Sequence, residues 1–128
     1  MKAYDIYKKT LALMFEREGE DKAFRDNFTA LLTSVAAECL PCENSIRKSE
    51  GREALPESPT ISDMEQALPF ADELCAVAIP YGIASYFSQD DGEEGRAQMY
   101  RERFYVALVN AKKCFFEDIT DVYGGDNE

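Results

Sequence analysis

The chain of 128 residues contains no histidine and no tryptophan. Histidine is the side chain best suited to proton transfer near neutral pH, and it is the commonest metal ligand. Its absence excludes Ser–His and Cys–His nucleophile pairs within one chain. Chemistry based on carboxylates or lysine is still possible, but the composition favours a protein that is not an enzyme. We therefore expect no catalytic residue, no cofactor and no metal site.

Long apolar runs and positive charge are also scarce. No apolar stretch approaches the roughly 20 residues that a transmembrane helix needs, and residues 1–7 include Lys2 and Asp5 rather than an apolar signal segment. Acidic residues outnumber basic ones by 25 to 14, which gives a net charge of −11. Such a chain is repelled by phosphate backbones and anionic membranes. We expect a soluble protein, made in the cytoplasm, with no membrane partner and no sequence-specific nucleic-acid partner.

Apolar residues recur at helical spacing in four segments, so the sequence predicts an all-α, single-domain bundle of about four helices. The first helix starts near Tyr4 and ends at the Glu18-Gly19 pair. The second starts after an N-cap at Asp21 and ends at Pro41, whose ring cannot continue a helix. It carries the clearest apolar stripe in the chain.

The third helix opens near Asp72 and is bent by Pro80, and its small residues, Gly82 among them, would let another helix approach closely. The acidic turn at residues 89–95 then separates it from a fourth helix that runs from Ala97 to Phe115. This turn does not have the ligand spacing of a calcium loop. We interpret it as a solvated turn between helices.

Two segments lack helical periodicity. Residues 41–62 hold three prolines, a glycine and many charges, and they predict a long loop or extended arm that contacts a neighbouring subunit. Residues 118–128 are acidic and contain paired glycines, and they predict a frayed tail. The domain prediction is therefore a helical body over residues 1–117, including the loop, followed by this tail.

The four cysteines allow two chemical alternatives to buried, reduced thiols. Cys39 and Cys42 form a Cys-x-x-Cys pair, but a predicted position at a helix C-terminus gives the dipole the wrong sign to stabilise a thiolate. Adding Cys75 and Cys114 would supply four zinc ligands, although the second half lacks its own paired spacing. We expect all four to be small buried hydrophobic residues.

The order of the segments in the second half is more informative than any motif. It contains Ala67-Leu68-Pro69-Phe70-Ala71-Asp72, then Ile79-Pro80-Tyr81-Gly82-Ile83-Ala84, the acidic turn, and a closing helix rich in Tyr and Phe. This order resembles the helical head–tail connector and tail-adaptor proteins of tailed phages and prophages of Gram-positive bacteria. The start, Tyr4 to Lys9 followed by Leu11-Ala12-Leu13, resembles them more loosely.

The resemblance implies a non-enzymatic structural subunit. Such proteins form homo-oligomeric rings between the portal and the tail, and DNA passes through them as cargo, which suits an acidic surface. The virion would then be the final location. Two alternatives remain open: a bacterial helical adaptor or regulatory protein that binds a protein partner, and a small thiol- or zinc-dependent protein that uses Cys39 and Cys42.

Overall fold

The computed structural model describes residues 1–16 and 21–124, with side chains up to Lys112. The fold is all-α, as the periodicity predicts. No helix in the described part is long and apolar enough to cross a bilayer. The elements in chain order are α1 (Ala3–Leu13), α2 (Lys22–Ser49), a π-helical segment (Leu74–Ala78), α3 (Ile79–Asp90) and α4 (Glu94–Gly124).

Helices α2 and α3 each pack against the other three helices, and α3 makes the larger share of these contacts. Gly82 allows this, because a Cβ atom there would lie 2.7 Å from Val35 Cγ1 of α2 and 3.1 Å from Phe104 Cε1 of α4. The predicted close approach at Gly82 is therefore confirmed. At the far end of α3, Phe87 meets Phe24 edge to face with ring centroids 4.9 Å apart. That contact joins an aromatic cluster with Tyr7 and Phe28.

Helix α1 ends at Leu13, and Phe15 follows with φ 59°, in the left-handed region. The predicted end at Glu18-Gly19 lies outside the described residues. The N-terminus of α1 has backbone N–H groups that no intrahelical carbonyl can accept. Tyr4 N donates to Met64 O over 2.8 Å and Ala3 N donates to Gln66 O over 2.9 Å, so the chain before α3 caps this helix.

The prediction that α2 ends at Pro41 was wrong. Asp21 caps the helix as expected, accepting a hydrogen bond from Phe24 N, but the helix continues through Pro41 to Ser49. Pro41 is on the exposed side, and so is Ala37, whose carbonyl loses its helical donor to the proline ring. Water can satisfy that carbonyl. The buried face continues past the proline, which offsets the cost; its residues there are Cys42, Glu43 and Ile46.

The predicted loop boundaries, 41–62, were wrong for the same reason. The connection between α2 and the next helical turn spans residues 50–71. It is not an extended arm, since Ile61, Leu68 and Phe70 are buried in the core. Its polar backbone groups are also bonded to α2: Asn44 exchanges two hydrogen bonds with the Leu55 backbone, and Thr33 Oγ1 accepts one from Ile61 N over 2.9 Å.

A buried ion pair on α2 holds the end of this connection. Glu43 is fully buried, and its Oε2 accepts a hydrogen bond from Arg47 Nε over 2.6 Å. Its other oxygen accepts from Ala71 N over 2.7 Å. Arg47 Nη2 in turn donates to Pro69 O over 2.7 Å. Because every charged atom has a partner, this arrangement can be buried without an uncompensated charge.

The third predicted helix opens close to Asp72, as expected, but its first turns form a π-helical segment. Ile79 N donates to Leu74 O, five residues earlier. Pro80 follows directly and has no N–H to donate to Ala76 O, so the wider turn occurs where the α-helical pattern would already be broken. Instead of a bend in the middle of a helix, Pro80 lies in the first turn of α3.

The predicted boundary between body and tail, residue 117, falls inside α4. The backbone stays helical to Gly124, and residues 125–128 lie outside the described residues. Residues 118–123 are acidic but contain neither proline nor glycine, so nothing in them interrupts a helix. The prediction of a frayed tail over residues 118–128 stays a prediction.

Candidate protein-binding surface

Helix α4 has apolar residues on two opposite faces. The inner face, which includes Tyr100, Phe104, Ala107 and Ala111, is buried in the bundle. On the outer face Val106 is 59% exposed, Val109 62% and Met99 37%. With Glu102, these residues follow each other at intervals of three and four, and we call Met99, Glu102, Val106 and Val109 the outer stripe.

A groove of about 640 Å³ runs beside the outer stripe, between α4 and the first turns of the third helical region. One wall is formed by Val77 of the π-helical segment and Tyr81 of α3, and the other by Val106 and Ala107 of α4. Val77 lies in the π-helical segment, and its side chain is about half exposed, at 49%. Charged and polar residues form the rim: Glu73, Glu102, Arg103 and Asn110.

An ion-pair and aromatic network fixes α4 on the bundle next to this surface. Arg101 Nη1 donates to Glu38 Oε1 over 2.9 Å, and Tyr86 Oη donates to the other oxygen of Glu38 over 2.9 Å. The Arg101 guanidinium also lies 4.7 Å from the centroid of the Tyr86 ring. Arg101 is therefore used within the chain, where it links α2, α3 and α4.

Two other surface features are less suited to a site. A groove of about 750 Å³ lies between the start of α2 and the end of α3, and its lining is more polar, with Asp21, Asp90 and Asp91 on its edge. Phe15 is 95% exposed, but it stands alone beside residues outside the described part. An isolated exposed apolar side chain is ordinary on a protein surface.

The thiols are placed as the sequence predicts, but not for the reason given. Cys39 and Cys42 lie within α2 rather than at its end, so the dipole argument does not apply to them. Both are buried, and burial raises the pKa of each thiol. Burial also raises the pKa of Cys75 to about 11. Burial thus disfavours the thiolate form that a reactive cysteine needs.

No metal-binding cluster of three or more Cys, Asp or Glu residues occurs in the described part of the chain. The side chain of Cys114 lies outside the described residues. The acidic turn is built from Gly92, with φ +79°, and from Glu93, whose N–H donates to Ser88 O and whose carboxylate pairs with Arg96. Both observations fit the interpretation of that turn as a connection between helices.

Sequence reasoning missed the outer stripe. Charged residues, among them Arg101, Glu102 and Arg103, are interspersed with its apolar residues in the sequence and conceal it. The signal was present, because Met99, Glu102, Val106 and Val109 repeat at coiled-coil spacing. The exposure of the two valines shows that this second stripe is not part of the core.

No family model, curated protein or solved structure is significantly similar to this chain.

Proposed function

We propose that this protein is a non-enzymatic structural subunit that works by binding other protein subunits through the outer stripe of α4. The exposed apolar surface on a helix that is otherwise firmly packed carries this proposal. Contiguous exposed apolar surface on a protein commonly marks an interaction site, whereas single exposed apolar residues need no explanation. The lack of histidine and the raised pKa values of the buried thiols favour binding over catalysis.

The particular role that we propose is a phage or prophage head–tail connector or adaptor subunit. The support is the resemblance of the segment order described above, together with the acidic balance of the chain. Under this proposal the subunits form a homo-oligomeric ring between portal and tail, DNA passes through as cargo, and the finished protein resides in the virion. The structure changes one element of the hypothesis: the segment after α2 is bonded to its own chain, so we assign the subunit contacts to α4 instead.

The test is the light-scattering mass of the purified protein across concentration, alone and mixed with the portal protein encoded nearby. A ring-sized assembly, or a stable complex with the portal, is the expected result. A chain that self-associates but ignores the portal would contradict the connector role and leave the binding surface standing. A strict monomer that captures a host protein would favour the bacterial adaptor instead.

A further inference from the structure

Phe15 combines a strained backbone with an exposed aromatic ring. Two backbone hydrogen bonds close the end of α1, from Phe15 N to Ala12 O over 3.2 Å and from Glu16 N to Leu11 O over 2.9 Å. In this helix-ending motif the left-handed position is usually a glycine, because glycine has no Cβ. Phe15 has φ 59° there, and its side chain is 95% exposed. The described part of the chain gives this ring no packing that would offset the strain, and retained strain is characteristic of functional positions.

The groove beside the outer stripe is suited to receive such a ring. Its walls are apolar and include Val77, Tyr81, Val106 and Ala107, and its volume of about 640 Å³ exceeds that of a phenyl ring. Aromatic side chains that insert into pockets of this kind supply much of the binding energy of protein interfaces. Phe15 is too isolated to form a binding surface by itself, but it has the chemistry of an anchor.

Phe15 lies at the opposite end of the bundle from the groove of its own chain. At the start of α1, Ala3 N donates to Gln66 O, shortly before the third helical region begins. Further along, Tyr7 stacks on Phe24, whose ring contacts the end of α3. Phe15 follows Tyr7 by eight residues, about 12 Å further in the same direction, whereas the groove lies at the first turns of the third helical region. A Phe15 ring that enters this groove therefore comes from another molecule.

We infer that Phe15 of one copy of this chain inserts into the groove of the next copy, so that its α1 lies along the outer stripe of that neighbour. The contact joins two different surfaces, and such a head-to-tail contact can repeat from copy to copy and close into a ring. A two-fold contact would stop at a dimer. The inference rests on the proposed function and deepens it, because it names the partner that covers the outer stripe.

The charges beside the two surfaces are complementary. Helix α1 holds two lysines and one aspartate, a net charge of +1 in a chain whose total is −11. The lysines, Lys8 and Lys9, are both exposed and lie within about two turns of the exposed ring. On the rim of the groove, Glu73 and Glu102 outnumber Arg103. Opposite charge therefore favours the approach of α1 to this rim over a contact between two acidic surfaces.

A mixing experiment tests the inference, because each surface can be removed separately. Phe15→Gly removes the ring and keeps the groove, whereas Val77→Glu places a charge in the groove wall and keeps the ring. Light scattering should show each variant alone as a monomer at concentrations where the parent exceeds twice the monomer mass. An equimolar mixture should reach twice the monomer mass and stop there, since each pair retains one contact and no further ring or groove that can bind.

Control variants separate binding from folding. Phe15→Gly relieves the left-handed strain, so its urea denaturation midpoint should be no lower than that of the parent. Phe15→Leu keeps an apolar side chain at the same position and should still assemble. Ala37→Glu adds the same charge as Val77→Glu at an exposed position on α2, and it should assemble like the parent.

The outcomes that overturn the inference differ from those that overturn the proposed function. If Phe15→Gly assembles like the parent, Phe15 is not the anchor, and the outer stripe binds something else. A mixture that stays monomeric, or a parent that stops at a dimer, would contradict the head-to-tail contact. A parent that stays monomeric at all concentrations but binds the portal would reject self-association and keep the proposed function. The proposed function fails instead if Val109→Glu leaves both assembly and portal binding unchanged.

Discussion

Residues 50–71 and the outer stripe of α4 differ in a way that their secondary structure does not indicate. The first region has no helix, yet its backbone is bonded to α2 through Thr33, Asn44 and Glu43. The second lies on a regular helix of 31 residues, yet its valines contact solvent. A segment that lacks helical periodicity in the sequence is thus bonded to the helices in the structure, and it is not a free surface. The exposed apolar surface that we propose for partner binding lies instead on a long, regular helix.

The largest expected effect comes from removing Glu43. The variant Glu43→Ala leaves Arg47 partly buried without its carboxylate, and it leaves Ala71 N without an acceptor. We expect a loss of about 3–5 kcal/mol in the free energy of unfolding, measured by urea denaturation. Asp26→Ala, which breaks the exposed pair with Lys22 at the same i,i+4 spacing, is the control and should change little. A loss below about 1 kcal/mol for Glu43→Ala would mean that this ion pair does not hold the connection.

The next effect concerns the inner side of α4. In Gly82→Ala, the added methyl group would meet Val35 and Phe104, so α3 has to move away from its neighbours. We expect the free energy of unfolding to fall by about 1–3 kcal/mol, which is measured as a lower denaturation midpoint. Gly95→Ala in the first turn of α4 is the matched control, because nothing lies within 4 Å of its new Cβ. Equal stability of the two alanine variants would contradict the close packing around α3.

A smaller effect tests the attachment of residues 50–71 at its other end. Asn44→Ala removes two hydrogen bonds to the Leu55 backbone. We expect the free energy of unfolding to fall by about 1–2 kcal/mol as a result. Amide exchange should rise at Leu55 more than in the helices, which hydrogen-exchange mass spectrometry can resolve. Ser45→Ala, whose hydroxyl bonds only within α2, is the neighbouring control. Unchanged exchange at Leu55 would show that this contact does not restrain the segment.

The smallest effect on stability is expected on the outer stripe. Val109→Glu replaces a side chain that contacts solvent, so the free energy of unfolding of the isolated chain should change by no more than about 0.5 kcal/mol. Thermal denaturation at low concentration, where the monomer dominates, is the measurement. A large loss there would mean that Val109 belongs to the core of its own chain.

The sequence was sufficient for the fold class and for features set by nearby residues. The N-cap at Asp21, the start of the third helical region near Asp72 and the close approach at Gly82 all follow from local chemistry. It was insufficient where distant residues decide. The cost of Pro41 is local, whereas its compensation includes the contact of Glu43 with Ala71, 28 residues away. The outer stripe was missed because charged residues are interspersed with its valines in the sequence, and the exposure of those valines follows only from how α4 packs on the bundle.

The most direct test of the account is the light-scattering mass of the parent and of Val109→Glu across the same concentration range. Ala37→Glu, which adds the same charge at an exposed position on α2, serves as the control. We predict that the masses of the parent and of the control rise above the monomer mass of 14.5 kDa with concentration, while the mass of Val109→Glu stays at that value. Identical masses for all three proteins would contradict the claim that the outer stripe of α4 binds another subunit.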